Sequence, residues 1–264
     1  MELLEYQLSK GVRAFSTLRT SEELGKGAYA SFVASPYLGF NITPYCGDAS
    51  EHVEKCRHLL AEELGIPEDR IVLPTQTHTN NIAIVDESYW SLDIRERAER
   101  LQNIDALITQ QRGVCIGVST ADCVPILFYD EIHQCIAAVH AGWRGVVGHI
   151  ARRTVLKMQE LGCEPSAIQV VVAPSIAPNS FEVGDEVVSA FEEAGFPSSV
   201  ILKQFAKPHI DLWAAVAFDL ESAGISLHNI QIAGVDTYEH ADSFFSARRL
   251  GIESGRIFNG ILLQ

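Results

Sequence analysis

Four dense apolar runs in the middle of the chain constrain its fold more than any other feature. Short turns separate these runs, which cover residues 106–109, 114–118, 124–129 and 134–139. Short apolar runs bounded by turn residues are typical of buried strands. We therefore expect four successive strands that form the core of one sheet.

Two potential metal ligands lie at the ends of these runs. Cys123 directly precedes the third run, and His140 directly follows the fourth. A hairpin turn at residues 130–133 would make the two strands antiparallel and bring Cys123 and His140 to the same edge of the sheet. A second imidazole, His78, lies in a polar link between two short apolar segments. This link is expected to be a loop or a strand end, which suits a functional site.

Together these residues form a set of two imidazoles and one thiol. Zinc at a catalytic site usually takes three such protein ligands and keeps its fourth position for water or substrate, whereas a structural site fills all four. We therefore predict that His78, Cys123 and His140 bind one zinc ion at the active site of an enzyme. A multicopper centre needs many imidazoles, generally in His-x-His pairs, but the chain has nine His and no such pair. A single copper ion on the same donors stays chemically acceptable.

The segment after His140 combines a glycine-containing turn with a helix start. Gly142 and Gly145 permit close approach of the backbone to a ligand. The helix expected from Gly145 to Leu161 offers free amides to an anion at its N-terminus. Arg144 adds a charged fork that suits the same anion.

Helices and strands are mixed through the rest of the chain without regular alternation, which indicates mixed sheets rather than a doubly wound parallel sheet. Asp48 and Glu51 fit a capping box for a helix that ends at Gly65. The other expected helices cover residues 91–101, 184–194 and 211–223. The other expected strands cover residues 71–73, 81–85, 168–172 and 230–233.

Composition narrows the range of partners. A net charge of −14 and a pI near 5.0 would repel phosphate backbones and anionic lipids, so we expect neither nucleic acid nor a membrane as a partner.

The 264 residues are 47% hydrophobic and show no linker or repeat, which predicts one domain over residues 1–264. The first residues lack a basic start followed by an apolar run, which favours the cytoplasm. The five cysteines other than Cys123 are expected to be ordinary buried thiols.

Several consecutive motifs carry a resemblance to a known family. They are Gln76-Thr77-His78, residues 105–109, Thr120-Ala121-Asp122-Cys123, residues 139–145 and residues 181–185. In this order they resemble the polyphenol oxidoreductase (laccase-like) family, whose members are also described as purine nucleoside phosphorylases. The resemblance implies an α+β fold, a four-layer α/β/β/α sandwich with mixed sheets. It also implies zinc bound by His78, Cys123 and His140.

The same resemblance implies phosphorolysis of adenosine, inosine and methylthioadenosine, with adenosine deaminase as a side activity. The partners would then be a small-molecule nucleoside and phosphate. We expect Cys123 and His140 to take part in catalysis, with Asp122 and Glu182 as candidates to carry protons. The residues expected to bind substrate are Arg19, Asn41, Arg144, Arg248 and Arg249.

Other functions remain open at this point. The first is a cysteine hydrolase or amidase that acts on peptidoglycan precursors, in which His140 activates Cys123 as a nucleophile. His78 discriminates against it, because a simple Cys-His nucleophile has no need of a second imidazole at the thiolate. The second is a copper-dependent polyphenol oxidase. A purely structural zinc site is the third, and the absence of an obvious fourth ligand argues against it.

Overall fold

Two mixed β-sheets stack face to face, and helices cover the outer face of each sheet. The computed structural model describes residues 2–19 and 35–264. Its strands are β1 (Leu3–Tyr6), β2 (Val12–Thr17), β3 (Ile71–Val72), β4 (Ile82–Ile84), β5 (Ala106–Thr109), β6 (Cys115–Thr120), β7 (Val124–Asp130), β8 (Cys135–Ala141), β9 (Gln169–Val172), β10 (Ile201–Leu202), β11 (His209–Ile210), β12 (Ile230–Ile232) and β13 (Ile257–Leu263). Its helices are α1 (Ser50–Leu64), α2 (Glu87–Trp90), α3 (Ile94–Arg100), α4 (Trp143–Val147), α5 (Ile150–Glu160), α6 (Asp185–Glu193), α7 (Leu212–Ser222) and α8 (Ala247–Leu250).

The strand order explains how the chain builds the two large sheets. The five-stranded sheet has the order β1-β2-β13-β6-β3, and the six-stranded sheet has the order β12-β9-β7-β8-β5-β4. The expected hairpin is confirmed, because β7 and β8 are antiparallel and Asp130 pairs with Cys135 next to the turn. The expectation of a single sheet core is wrong, because β6 lies in the other sheet. There it pairs with β13, and Ile116 is opposite Ile261.

Three apolar interfaces hold the layers together. Between the sheets, β6 packs against β7 and β8 through fully buried side chains, namely Ile116, Val118, Leu127, Ile136 and Ala138. Helix α1 covers the five-stranded sheet, where Cys56 and Leu60 of the helix share one core with residues of β2 and β13. These strand residues are Phe15, Phe258 and Leu262. Helices α5, α6 and α7 cover the six-stranded sheet, where their apolar side chains share one core with strand residues such as Val139 on β8. The helix residues include Val155 and Met158 on α5, Val187 on α6 and Leu220 on α7. These contacts give the expected four-layer α/β/β/α sandwich.

Several helix ends differ from those expected. Helix α1 has Ala49 as its N-cap without a side-chain cap, because the Asp48 carboxylate instead accepts from Ala49 N and from His52 Nδ1. Gly65 ends that helix in the left-handed conformation, as expected. The helix expected from 145 to 161 is two helices, α4 and α5. They are separated at His149, where the backbone φ is 57°.

A buried carboxylate accounts for this break. His149 Nδ1 lies 2.7 Å from Asp219 Oδ1 on α7, and Asp219 Oδ2 accepts from Arg152 N at 3.2 Å. Asp219 thus binds both the residue at the break and the first turn of α5.

Within the described residues, no helix is both long enough and apolar enough to cross a lipid bilayer.

Candidate metal centre

The three predicted ligands converge at one end of the six-stranded sheet. One ligand atom from each of His78, Cys123 and His140 lies within 4.8 Å of the others. Cys123 Sγ is 3.8 Å from His78 Nε2, and the two imidazole rings are 4.8 Å apart in an edge-to-face arrangement. His140 is buried, Cys123 is partly buried and His78 is exposed. The cluster therefore has one side open to solvent.

Strand register places two of these residues together. In the β7–β8 hairpin, Pro125 pairs with His140 and Val124 pairs with Ala141. Cys123 immediately precedes Val124, so its side chain lies at the same end of the hairpin as His140. This is the arrangement that the sequence predicts. His78 comes from the link between β3 and β4.

A buried carboxylate, for which the sequence indicated no role, organises the cluster. Asp105 is fully buried immediately before β5, and its Oδ1 accepts from His140 Nδ1 at 2.7 Å. The Asp105 carboxylate also accepts from the backbone N–H groups of Thr77, His78 and Thr79, at 3.3, 3.1 and 2.7 Å. One side chain therefore holds His140 and the loop that carries His78.

This contact fixes the orientation of His140. With Nδ1 held by Asp105, the other ring nitrogen, Nε2, is the one available to a metal, as is usual for histidine ligands backed by a carboxylate. Burial raises the pKa of Asp105, but hydrogen bonds from His140 and Thr79 outweigh burial and hold that pKa at about 2. Asp105 is therefore ionised at every physiological pH. The sequence offered two signals for Asp105, which begins the family motif at residues 105–109 and is a charged residue directly before a fully apolar strand.

Backbone conformations around the cluster are specialised. His78 and Asp122 have φ values of 62° and 84°, a region that residues other than glycine rarely adopt and that is common at functional sites. Gly142 leaves room for two ligands, because a Cβ there would lie 2.7 Å from His78 Cδ2 and 3.1 Å from Cys123 Sγ. The loop is also tied to the other sheet, since Gln76 exchanges two hydrogen bonds of 2.7 Å with the backbone of Ser119.

Electrostatics favour a thiolate at Cys123. Burial raises the pKa of the Cys123 thiol, but the nearby His140 and His78 imidazoles outweigh burial and lower it to about 6. Burial lowers the pKa of His140, whereas the Cys123 thiolate and Asp105 raise it to about 9. Between these values the two side chains form a thiolate–imidazolium pair in the absence of metal. A thiolate is the form that binds metal.

The donor set and its spacing fit a zinc ion. With zinc–sulfur and zinc–nitrogen bonds of about 2.3 and 2.0 Å, two ligands at a tetrahedral angle lie roughly 3.5 Å apart, close to the 3.8 Å between Cys123 Sγ and His78 Nε2. Among the described residues, no fourth His, Cys, Asp or Glu joins this group. Three protein donors with an open side are the arrangement of catalytic rather than structural zinc.

The two carboxylates expected to carry protons have other partners. The Asp122 oxygens accept from Thr237 Oγ1 at 2.8 Å and from Arg248 N at 2.7 Å. Asp122 therefore fixes the start of α8 beside the cluster, and the geometry favours this anchoring role over proton transfer. Glu182 forms an ion pair with Lys207 at 2.7 Å. This ion pair lowers the pKa of Glu182.

The residues expected to bind substrate divide into two groups. Arg144, Arg248 and Arg249 are exposed. Their guanidinium groups lie over the aromatic rings of Trp143, Phe181 and Tyr238, respectively. Both Nη atoms of Arg248 also donate to the Glu182 carbonyl at 3.2 Å. The exposure of all three arginines allows them to contact an anionic ligand.

Arg19 and Asn41 form the second group. Both are buried. Arg19 donates to the carbonyls of Leu38 and Ala241, and Asn41 donates to Asp48 and accepts from Thr43 N. Both side chains therefore link loops to each other, and their contact with substrate stays a prediction.

Comparison with known proteins identifies the family. Residues 28–264 match the model of the family described as multi-copper polyphenol oxidoreductase laccase. The chain belongs to this family. A purine nucleoside phosphorylase of Bacteroides thetaiotaomicron is 44% identical over 232 residues, which cover 86% of each chain. Adenosine deaminase RL5, from an unknown prokaryotic organism, is 44% identical over 266 residues, 99% of this chain and 98% of that protein.

A solved structure of the same fold confirms the architecture. YlmD from Geobacillus stearothermophilus superposes with a TM-score of 0.84 at 29% identity, over 97% of this chain and 93% of that one. The names of the two sequence relatives support the expectation that this family member is an enzyme. The family description implies a metal, and the three-donor cluster offers a place for it.

Gly142→Ala is expected to weaken metal binding by about ten-fold or more, a loss typical when the surroundings of metal ligands are disturbed. The added methyl group would displace His78 and Cys123. Gly145→Ala is the matched control, because its methyl group would meet no atom closer than 3.4 Å. Zinc affinity measured by competition with a chelating dye checks this, and equal affinities for the two variants would contradict it.

Alkylation of Cys123 in metal-free protein is expected to have an unusual pH dependence. Since the thiolate is the nucleophile, the rate should rise through a midpoint at about pH 6, set by the lowered pKa of Cys123, and level off above it. His140→Gln removes the main stabilising charge, so its midpoint should move upward. The measurement is iodoacetamide labelling followed by mass spectrometry of the Cys123 peptide. A midpoint near 9 in both proteins would contradict the paired ionisation.

Proposed function

We propose that this enzyme is a zinc-dependent purine nucleoside phosphorylase that acts on adenosine, inosine and methylthioadenosine and has adenosine deaminase as a side activity. The observation that carries the proposal is the open cluster of His78, Cys123 and His140. The reaction class is supported by the names of the two relatives that are 44% identical to this chain. A cytoplasmic location is part of the same proposal.

Phosphorolysis sets two tasks for the protein. A phosphate oxygen forms a bond to C1′ of the ribose while the bond from C1′ to the purine nitrogen breaks and the base departs with the bonding electrons. The enzyme must therefore hold the phosphate against C1′ and stabilise the departing base. The phosphate is already an anion, so it needs no general base to become a nucleophile.

The exposed arginines suit the first task. Arg144 lies two residues after Gly142, where a Cβ would meet two of the metal ligands. Arg248 is attached through its backbone N–H to Asp122, the neighbour of Cys123. Both guanidinium groups are exposed and bring positive charge to an otherwise acidic chain. Arginine binds phosphate through paired hydrogen bonds, which orient the phosphate as well as attract it. Arg249 adds a third cation on the same short helix, α8.

His78, Cys123 and His140 would hold the zinc ion, and Asp105 would keep His140 in the binding orientation. When bound, zinc supplies Lewis acidity that can polarise a substrate atom or activate water. Deamination additionally requires a residue that moves protons between water and the amino group of the base. Glu182 is the remaining carboxylate candidate, although its ion pair with Lys207 lowers its pKa and so makes it a weaker base.

A second candidate function rests on a specific geometry. Cys123, His140 and Asp105 also form the thiol–imidazole–carboxylate series of a cysteine hydrolase. An amidase acting on peptidoglycan precursors would use these three residues without metal. His78 favours the zinc enzyme, because it brings a second imidazole to the same thiol. Copper fits the same donors, so metal replacement decides between zinc and copper.

Purified enzyme incubated with inosine and phosphate is expected to release hypoxanthine. Cys123→Ala should lower kcat/KM by at least about a hundred-fold, since it removes a ligand of the metal that assists the reaction. Cys46→Ala is the matched control, because Cys46 lies outside the cluster. Chromatographic detection of hypoxanthine gives the rate.

Two controls make this test decisive. Omitting phosphate should abolish product formation, because phosphate is the nucleophile. Chelation should inactivate the enzyme, and zinc should restore it. Equal turnover of wild type and Cys123→Ala would refute the role of the cluster, and full activity of metal-free protein toward an amide would establish the cysteine hydrolase instead.

A further inference from the structure

A cavity of about 370 Å³ lies beside β3, the edge strand of the five-stranded sheet. Helix α3 forms its opposite wall, and α1 and α2 each contribute one residue to the lining. The volume falls within the range of small-molecule sites, which is about 300–1,000 Å³. The metal ligands and the candidate substrate residues do not line this edge cavity. It is therefore distinct from the candidate metal centre.

The apolar part of the lining comes from both walls. Leu73, directly after β3, is partly buried, and Ala98 and Leu101 line the cavity from the side of α3. Ile94, the first residue of α3, lines the same cavity and is 83% exposed. Small-molecule sites usually combine an apolar lining of this kind with a few polar groups. The edge cavity therefore suits a ligand that has an apolar part.

Two guanidinium groups and one phenol supply polar groups to the same cavity. Arg57 of α1, Tyr89 of α2 and Arg97 of α3 all line it. Burial raises the pKa of Tyr89, whereas the positive charges of Arg97 and Arg57 act in the opposite direction, so both guanidinium groups lie near the phenol. Within the described part of the chain, the Tyr89 hydroxyl makes no hydrogen bond. The phenol is thus available to a ligand.

Backbone carbonyls hold both arginines in position. Arg57 Nη2 donates to Ile71 O. Arg97 donates through Nε to Leu92 O at 2.9 Å and through Nη2 to Trp90 O. The Nη1 groups of the two arginines make no hydrogen bond with other described residues. Each guanidinium group is therefore fixed by some of its donors and keeps others for a ligand.

The charge of the lining favours an anion. Arg57 and Arg97 bring two positive charges, and Asp69 is the one carboxylate among the described lining residues. The cavity is thus locally positive in a chain whose net charge is −14. Guanidinium groups bind carboxylates and phosphates through charge-assisted hydrogen bonds. The lining therefore fits a molecule that is apolar at one end and anionic at the other.

We propose that the edge cavity binds a small organic anion. The carboxylate or phosphate group of this ligand contacts Arg57, Arg97 and Tyr89, and its apolar part lies between Leu73 and Ile94. Binding would join α3 to the edge of the five-stranded sheet. Because the cavity lies outside the candidate metal centre, this molecule is a second ligand of the protein and not the substrate of the zinc reaction.

Phenyl phosphate is a suitable probe, because it combines an aromatic ring with an anionic group. The indole N–H signal of Trp90 in the ¹⁵N-labelled protein reports on the cavity, because the Trp90 ring lies 5.0 Å from the guanidinium carbon of Arg97. This signal should shift in a saturable manner below about 10 mM phenyl phosphate. Inorganic phosphate and benzyl alcohol each offer half of the recognised chemistry, so each should bind at least about ten-fold more weakly.

Variants of the lining assign the binding to the cavity. Arg57→Gln should weaken it by about ten-fold, as is typical when a charged hydrogen-bond donor is lost. Tyr89→Phe, which removes one oxygen atom, should weaken it by about three-fold or more and serves as the test if Arg57→Gln fails to fold. Arg95→Gln is the matched control, because Arg95 is exposed on α3 and does not line the cavity. Its affinity should equal that of the wild type.

The other indole signals separate the cavity from the candidate metal centre. Trp143 lies beneath Arg144, so its indole signal reports binding of the probe to the catalytic arginines. A shift of the Trp143 signal without a shift of the Trp90 signal would overturn the proposal. Equal affinities at Trp90 for the wild type and for folded Arg57→Gln and Tyr89→Phe would overturn it as well.

Discussion

The buried carboxylate of Asp105 is the group on which the candidate catalytic centre depends. It accepts a hydrogen bond from His140 on β8 and from three consecutive amides in the loop that carries His78. A buried charge is costly unless hydrogen bonds compensate it. Here the compensating donors belong to the two segments that supply the imidazoles, so the arrangement that stabilises Asp105 also positions both rings. The Asp105 backbone carbonyl adds a further contact to His140 N at 2.8 Å.

The sandwich fold supplies the rest of the centre. The β7–β8 register places Cys123 next to His140, and Gln76 attaches the His78 loop to Ser119 on β6 of the other sheet. The cluster therefore requires both sheets to be stacked in their final arrangement. Gly142 then sets how closely the ligands approach, because a side chain at that position would occupy their space. The fold itself therefore holds the three ligands in place, which is the property that a rigid catalytic site needs.

The sequence predicts those features of this arrangement that a local residue pattern determines. Apolar runs with a turn between them fix the β7–β8 hairpin, and so the proximity of Cys123 and His140. The assignment of β6 to the second sheet was not predictable, because its partner β13 lies more than 130 residues later in the chain. Asp105 was missed because an isolated aspartate before a strand has the same pattern as an ordinary turn residue.

Burial of polar residues was equally hidden from the sequence. Arg19 and Asn41 have side chains that suit substrate binding, yet tertiary contacts use them to join loops. The break between α4 and α5 depends on Asp219 from α7, which no local pattern around His149 indicates. The anchoring role of Asp122 was hidden for the same reason, since its hydrogen-bond partner Thr237 is 115 residues away in sequence. In each case a long-range hydrogen bond decides the role of the residue.

The zinc affinity of Asp105→Asn tests the central claim most directly. Asparagine keeps the size of the side chain but replaces one carboxylate oxygen by an N–H₂ group, which cannot accept a hydrogen bond. In the wild type both oxygens accept from His140 and from the amides of the His78 loop. The variant therefore loses part of the support that these two segments share. Zinc binding at the cluster should weaken by about 10- to 100-fold with the fold retained. Asp93→Asn is the control, because Asp93 caps the exposed helix α3 and asparagine caps helices equally well. Unchanged zinc affinity in folded Asp105→Asn would contradict the account.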